Sequence, residues 1–107
     1  MKNELNQIVQ IFKALGDTNR LKIIKLLASN TKETLYVSEV AKKLDISQSA
    51  ASQQIKILKN IGVLEENRIG FRVYYTINTD ILFKHKKEID KLFIKAFEKC
   101  KYDFKCS

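Results

Sequence analysis

The sequence predicts a mainly α-helical fold with one small β-hairpin, in the order α-α-α-α-β-β-α. Apolar residues recur at helical spacing up to Gly62 and again from Thr79. Two short runs between them, VLEEN and FRVYYTI, are rich in β-branched and aromatic residues, which is typical of strands. The chain has no proline, only three glycines and no low-complexity stretch, so no linker divides it. We therefore expect residues 1–107 to form a single domain.

Length, composition and charge limit the classes of protein to which this chain can belong. A chain of 107 residues with 45% hydrophobic and 30% charged residues has room for one modest core and is typical of a soluble globular protein. No apolar run is long enough to cross a bilayer, and the N-terminal MKNELNQIVQIF lacks the continuous apolar stretch of a secretory signal. We expect a cytoplasmic protein with no membrane partner. The net charge of +8 is spread along the chain and fits DNA, RNA or another anionic surface equally well.

Spacing and capping residues predict the first two helices. The first has an apolar face made of Leu5, Ile8, Phe12 and Leu15 and ends near Gly16. Asp17 and Thr18 can cap a second helix. Its predicted core face consists of Leu21, Ile24, Leu27 and Ala28.

A short helix, a tight turn and a second helix follow a loop at residues 29–36. The short helix is predicted from about Val37 to Leu44, and Asp45-Ile46-Ser47 forms the turn. Ser47 is a suitable N-cap for the next helix, SQSAASQQIKILKNIG, which ends at Gly62. The buried stripe of that helix is predicted to be Ala51, Ile55 and Leu58. Its opposite face is polar but carries little charge, which is unusual for a solvent face in a chain so rich in lysine.

The hairpin and the last helix complete the chain. Arg68-Ile69-Gly70 joins the two predicted strands, and in the second strand Val73, Tyr75 and Ile77 point to one side. From Thr79 onward the helical spacing returns as one long apolar stripe. Its members are Leu82, Ile89, Leu92, Phe93, Ala96, Phe97 and Cys100.

Two short helices joined by a tight turn describe a helix-turn-helix, and a following hairpin with arginines at its tip describes a wing. The small polar face of the second helix can then approach a major groove, where serine and glutamine hydrogen-bond to base edges and lysine binds phosphate or guanine. The sequence therefore predicts a winged helix-turn-helix that binds double-stranded DNA. The predicted contacts are Ser47, Gln48, Ser49, Ser52, Gln53, Lys56, Arg68 and Arg72. The alternatives are a polar surface helix without a partner, or a winged helix that contacts RNA or protein.

At these motifs the chain resembles the ArsR/SmtB family of small winged-helix repressors, over about residues 5–100. ALGDTNRLKIIKLL resembles the start of that family's second helix, ISQSAASQQIKILKNIGVLE its recognition helix, and RIGFRVYYTI its wing. Histidines often stand in the family where this chain has Gln53 and Gln54, so its base preference is expected to differ. The resemblance implies a homodimeric transcriptional repressor that leaves its operator, expected to be an inverted repeat, when an inducer binds.

The first and last helices carry more apolar surface than a small core can cover, which supports a dimer. Phe12, Ile89, Phe93 and Phe97 are the predicted seam. The alternative is that the last helix folds back onto its own core.

The inducer is the least determined feature. Thiolate-sensing relatives place cysteines on the helix before the turn, but Tyr36 and Ser38 stand at those positions here, so that metal site is absent. His85 is the only histidine, and with Asp80 five residues away it is predicted to be an interface histidine and not a metal ligand. Cys100 and Cys106 could bind arsenite or another soft metal, or form a disulfide, if the chain turns between them or if they meet across a dimer. The alternative is that Cys100 only packs against its neighbours and Cys106 has no role.

An enzyme is disfavoured. The sequence shows no Cys-His or Ser-His-Asp arrangement at readable spacing, no Gly-rich phosphate loop and no carboxylate pair on an apolar cleft face.

Overall fold

In a computed structural model that describes residues 2–30 and 34–103, the protein has five helices and one two-stranded antiparallel sheet. The predicted fold class and element order are confirmed. The elements are α1 (Lys2–Leu15), α2 (Thr18–Ser29), α3 (Val37–Leu44), α4 (Gln48–Asn60), β1 (Leu64–Ile69), β2 (Arg72–Ile77) and α5 (Thr79–Asp103). No helix in this described part is both long and apolar enough to span a bilayer.

The core lies where α1, α2, α3, α4 and the hairpin meet. Ile23, Leu58 and Val63 are fully buried at its centre, and Val40 and Ile55 pack beside them. The predicted stripe Ala51, Ile55 and Leu58 on α4 is confirmed as the buried face of that helix.

The predicted core face of α2 is wrong in part. Leu21 and Ala28 are exposed, Ile24 and Leu27 are partly buried against the core, and Ile23 is the fully buried residue. The segment LKIIKLLA carries apolar residues on most sides of a helix that turns about 100° per residue, so spacing alone does not choose the inward face.

Local backbone chemistry shapes the helix-turn-helix. Asp45 ends α3 in the left-handed region at φ 55°, a conformation that aspartate tolerates better than most residues. The amide N–H of Ile46 donates to the carbonyl of Ala41 at 3.0 Å. The hydroxyl of Ser47 accepts from the amide N–H of Ala50 at 3.0 Å, so the predicted N-cap of α4 is confirmed.

The hairpin turn lies further along the chain than the sequence suggested. β1 continues through Arg68 and Ile69, and Ile69 pairs with Arg72, so the turn consists of Gly70 and Phe71. Gly70 has φ +61°, a positive value that the first central position of a two-residue hairpin turn requires and that glycine adopts without strain. Tyr75 and Ile77, which were predicted with Val73 to point to one side of the strand, pack against the core.

α5 leaves the core part of the way along its length. Ile81, Leu82, His85, Glu88 and Ile89 are buried or half-buried, whereas every residue of the segment 90–98 is exposed. α1 packs against α5, so these two helices present their uncovered apolar side chains together.

Candidate nucleic-acid interface

The outer face of α4 carries the predicted DNA contacts. Ser47, at its N-cap, is exposed. So are five residues within the helix, Gln48, Ser49, Ser52, Gln53 and Lys56. Ser49, Ser52, Gln53 and Lys56 follow the helix on the side opposite Ala51, Ile55 and Leu58, and Ser47 and Gln48 extend this polar surface at the N-terminal end of the helix. That surface offers hydroxyls, amides and one ammonium, which match the donors and acceptors of base edges and phosphates.

Arg20 of α2 joins the end of α1 to the middle of α4. Nη1 of Arg20 donates to Oε1 of Gln54 at 2.7 Å, its Nε donates to the carbonyl of Ala14, and its Nη2 donates to the carbonyl of Lys13 at 3.4 Å. One guanidinium therefore satisfies the C-terminal carbonyls of α1 and holds the middle of α4. Gln54 therefore faces Arg20, whereas its neighbour Gln53 faces the outer surface.

The wing is tied to α4 by charge. Nζ of Lys59 lies 3.1 Å from Oε1 of Glu66, and the hydroxyl of Tyr75 donates to the same oxygen at 3.3 Å. The hydrogen bond from Lys59 lowers the pKa of the Glu66 carboxyl. Arg68 lies further out on β1, with its guanidinium 3.8 Å from the second Glu66 oxygen and its side chain 68% exposed. Arg68 is therefore available to a phosphate on the same side as α4.

Arg72 is placed differently from the prediction of an arginine at a free wing tip. Its guanidinium carbon lies 3.6 Å from the centre of the Tyr36 ring, and Tyr74 meets that ring edge-on at 6.3 Å between centroids. Arg72 is still exposed, but this cation–π contact joins the tip end of the wing to the start of α3. Ser38 and Gln48 line the same small pocket, so Arg72 lies beside the first turn of α4.

Phe71 is the residue at the wing tip that the sequence interpretation missed. It is fully exposed, next to Gly70, and Ile69 before it is 53% exposed. The signal that could have found it is the hairpin register, which places the two residues between Ile69 and Arg72 at the tip. An aromatic ring there extends the surface that α4 and Arg68 present.

The predicted seam residues are uncovered in the protomer. Phe12 is 50%, Phe93 54% and Phe97 69% exposed, while Ile89 is half-buried. Val9 of α1 and Leu92 of α5 are exposed beside them. We call Val9, Phe12, Leu92, Phe93 and Phe97 the apolar seam. Leu5, Phe83 and Ile94 are further exposed apolar side chains on the same two helices.

The metal and redox predictions meet different outcomes. Tyr36 contacts the guanidinium of Arg72 and the ring of Tyr74. Among the side chains that the structure describes, in residues 5–30 and 34–98, no three of His, Cys, Asp or Glu are close enough to hold a metal ion. Cys100 lies near the end of α5, and Cys106 lies outside the described residues, so the cysteine pair stays a prediction.

His85 was predicted to lie at an interface, but it is buried within its own protomer at 8% exposure. It lies between α1, the end of α4 and α5, where Gln10, Ile61 and Ile81 line the same pocket. Burial lowers the pKa of its imidazole, and the neighbouring Lys84 lowers that pKa further, against an opposing effect of Glu88. His85 is therefore neutral at pH 7.

We expect the imidazole of His85 to titrate below its ordinary value of 6.5 in the folded protein. The unfolded chain then takes up the proton first as the pH falls, so stability is full above pH 6.5 and decreases below it. Because the chain has one histidine, a proton NMR titration of its ring follows the midpoint directly. Urea unfolding at pH 7.5 and 5.5 should show the loss in wild type and a smaller loss in His85→Leu. A midpoint at or above 6.5 would contradict the burial argument.

Comparison with known proteins agrees with this geometry. The sequence profile described as "Bacterial regulatory protein, arsR family" matches residues 17–66, from the cap of α2 into β1. The chain is 31% identical over 87 residues to a homologue of the cadmium resistance transcriptional regulatory protein CadC from Staphylococcus aureus, covering 81% of this chain and 68% of that protein. It is 29% identical to a homologue of the transcriptional repressor SmtB from Synechocystis, covering 81% of this chain. The match spans 64% of that repressor's length.

A solved structure shows the same architecture. The homodimeric winged helix-turn-helix DNA-binding domain of a possible regulator of this type from Mycobacterium bovis superposes with a TM-score of 0.65 at 29% identity. The alignment covers 88% of this chain and 82% of that one. The helix-turn-helix and the hairpin therefore form a winged helix-turn-helix.

Proposed function

Because the chain belongs to the arsR family of bacterial regulatory proteins, it is a DNA-binding transcriptional regulator, and we propose that it is a cytoplasmic homodimeric repressor released from its operator by an inducer. The names of its relatives are those of transcription regulators and not of enzymes.

The observation that carries the DNA-binding proposal is the outer face of α4. The serines and Gln53 on this face are short or uncharged and are exposed to solvent, and the opposite face of the helix is buried in the core. Such a face can enter a major groove closely enough for Gln53 to make a bidentate contact with one base. Arg68, Arg72 and Lys56 then bind backbone phosphates, which gives affinity without sequence preference.

The apolar seam supports the dimer. A two-fold partner that covers Phe12, Phe93 and Phe97 would bury side chains that the protomer leaves half or more exposed. A two-fold dimer presents two copies of α4 to successive major grooves about 34 Å apart. The expected operator is therefore an inverted repeat.

Cys100 and Cys106 form one candidate site for the inducer. Arsenite, another soft metal or an oxidant that acts on Cys100 and Cys106 would act at the end of α5, the helix that supplies most of the apolar seam. Comparing operator binding by wild type and by the Cys100→Ser, Cys106→Ser double variant, with and without arsenite, tests this option. An unchanged response in the double variant would make both thiols bystanders.

Two substitutions test whether Gln53 recognises a base and Arg68 binds a phosphate. Gln53→Ala should relax discrimination at one base position by about 1–3 kcal/mol, because a bidentate base contact is lost. Arg68→Ala should weaken binding to every duplex alike and lower the salt slope by about one, because a phosphate contact is lost. Fluorescence anisotropy with a duplex selected by the protein from a random pool, with single-base variants of it and at several salt concentrations, measures both effects.

Arg72 is a less suitable choice than Arg68, since Arg72→Ala also removes the contact with Tyr36. Equal losses for all duplexes in both variants would refute base recognition by α4. Tighter binding to single-stranded RNA of the same sequence than to the duplex would favour the RNA-binding alternative instead.

A further inference from the structure

A pocket of about 620 Å³ opens between α1, the end of α4 and the first turns of α5. α1 contributes Asn6, Gln7, Gln10 and Ile11, α4 and its C-cap contribute Asn60 and Ile61, and α5 contributes Ile81, Lys84 and His85. Its volume falls within the range of about 300–1,000 Å³ that small-molecule sites occupy. It shares no residue with the apolar seam.

The imidazole of His85 is an unused hydrogen-bonding group in this pocket. Its side chain is more than nine-tenths buried, and no hydrogen bond joins it to any residue in the described part of the chain. In that same part, no side-chain nitrogen or oxygen is both sealed from solvent and unpaired. The unpaired ring nitrogens of His85 are therefore accessible to solvent, and they are reached through the pocket that His85 lines.

The other polar groups define the charge of a suitable ligand. Lys84 lines the pocket and forms no ion pair with a described residue. None of the nine lining residues is acidic, and four of them are amides that can both donate and accept. Three isoleucines cover the apolar part. A small organic monoanion with one further polar group matches this set, with its carboxylate at Lys84, its second polar group at His85 and its hydrocarbon against the isoleucines.

The pocket lies between the helix proposed to read DNA and the two helices that carry the apolar seam. Asn60 and Ile61 end α4, the helix proposed to read DNA, while α1 and α5 carry the apolar seam. Gly62 follows at φ +84°, and a Cβ placed there would lie 3.9 Å from Ile81 of α5. A ligand between these walls would shift the end of α4 relative to α5, and through the seam on α5 it would change the distance between the two copies of α4 in a dimer.

We propose that this pocket binds a small organic carboxylate and that its occupation weakens operator binding. The second half rests on the proposed function, whereas the first half concerns ligand binding alone.

Binding is tested with 4-hydroxybenzoate as the probe and 4-hydroxybenzamide as its uncharged match. The readout is the ring signals of His85 by NMR, because the chain has only this histidine. We expect 4-hydroxybenzoate to shift these signals in a saturable way and to bind about tenfold more tightly than the amide, since a hydrogen bond from a charged group is stronger than one between neutral groups. An unshifted His85 signal at saturating millimolar probe, or equal affinity for the two probes, would overturn the site.

Two lysine variants test whether the carboxylate of the probe binds at Lys84. Lys84→Met should bring the two probes to equal affinity, whereas Lys87→Met, on the same helix and outside the pocket, should keep the tenfold preference. Amide spectra of both variants that overlay with wild type show that the fold is retained. A preference that survives in Lys84→Met would place the carboxylate elsewhere and refute the proposed geometry.

Regulation is tested by reciprocity. If the probe lowers operator affinity by some factor, saturating operator must lower probe affinity by the same factor, and both effects should vanish in Lys84→Met. Probe binding without any effect on operator affinity would overturn the regulatory half and leave the site standing. A wild-type protein that binds the probe but no duplex would overturn the proposed function and the regulatory half together.

Discussion

Phe93→Asp is expected to separate the two protomers and to lower operator affinity by at least about a hundredfold, or about 2.7 kcal/mol. Phe93 is 54% exposed in the protomer and lies between Leu92 and Ile94, which are also exposed. In a dimer joined along the apolar seam, the new carboxylate would be buried without a partner, which is strongly unfavourable. A monomer presents one copy of α4 and so loses half of the base contacts.

Sedimentation velocity measures the assembly, and anisotropy with the selected operator measures the binding. Phe71→Asp is the matched control for sedimentation, because it places the same charge on a more exposed phenylalanine at the wing tip, away from α1 and α5. The control should remain a dimer. A Phe93→Asp protein that sediments as an intact dimer would show that Phe93 lies outside the seam.

Arg20→Met is expected to reduce the free energy of unfolding by about 1.5–3 kcal/mol, the range for hydrogen bonds made by a charged group. The guanidinium of Arg20 donates to two carbonyls at the end of α1 and to the side chain of Gln54 on α4. Methionine keeps much of the aliphatic stem but leaves those acceptors without their donor. The connection between α1, which carries part of the seam, and α4, which faces DNA, is lost with it.

Urea unfolding at a fixed protomer concentration measures this effect, since dimerisation makes stability depend on concentration. Lys22→Met is the matched control on the exposed side of the same helix, and it should stay within about 0.5 kcal/mol of wild type. Equal losses in the two variants would mean that the Arg20 contacts contribute nothing beyond a surface charge.

Several features follow from the sequence because the signals that determine them are local. Ser47 and Asp17 cap their helices through atoms two or three residues away, and the spacing of Ala51, Ile55 and Leu58 fixes which side of α4 is buried. Once that side is known, the outer face with Ser52 and Gln53 follows from helix geometry alone. The order of helices and hairpin, and with it the helix-turn-helix and wing, was therefore readable from the residues.

The tertiary structure decided what depends on partners distant in the chain. The inward face of α2 was not readable, because Leu21 and Ile23 are equally apolar and only packing against α4 and the hairpin distinguishes them. Arg72 looked like a free arginine until the fold placed Tyr36, 36 residues earlier, under its guanidinium. His85 looked like an interface residue until α1 and the end of α4 closed over it and left its nitrogens facing a pocket. Spacing along a helix tells which side chains share a face, but only the approach of other segments determines what covers that face.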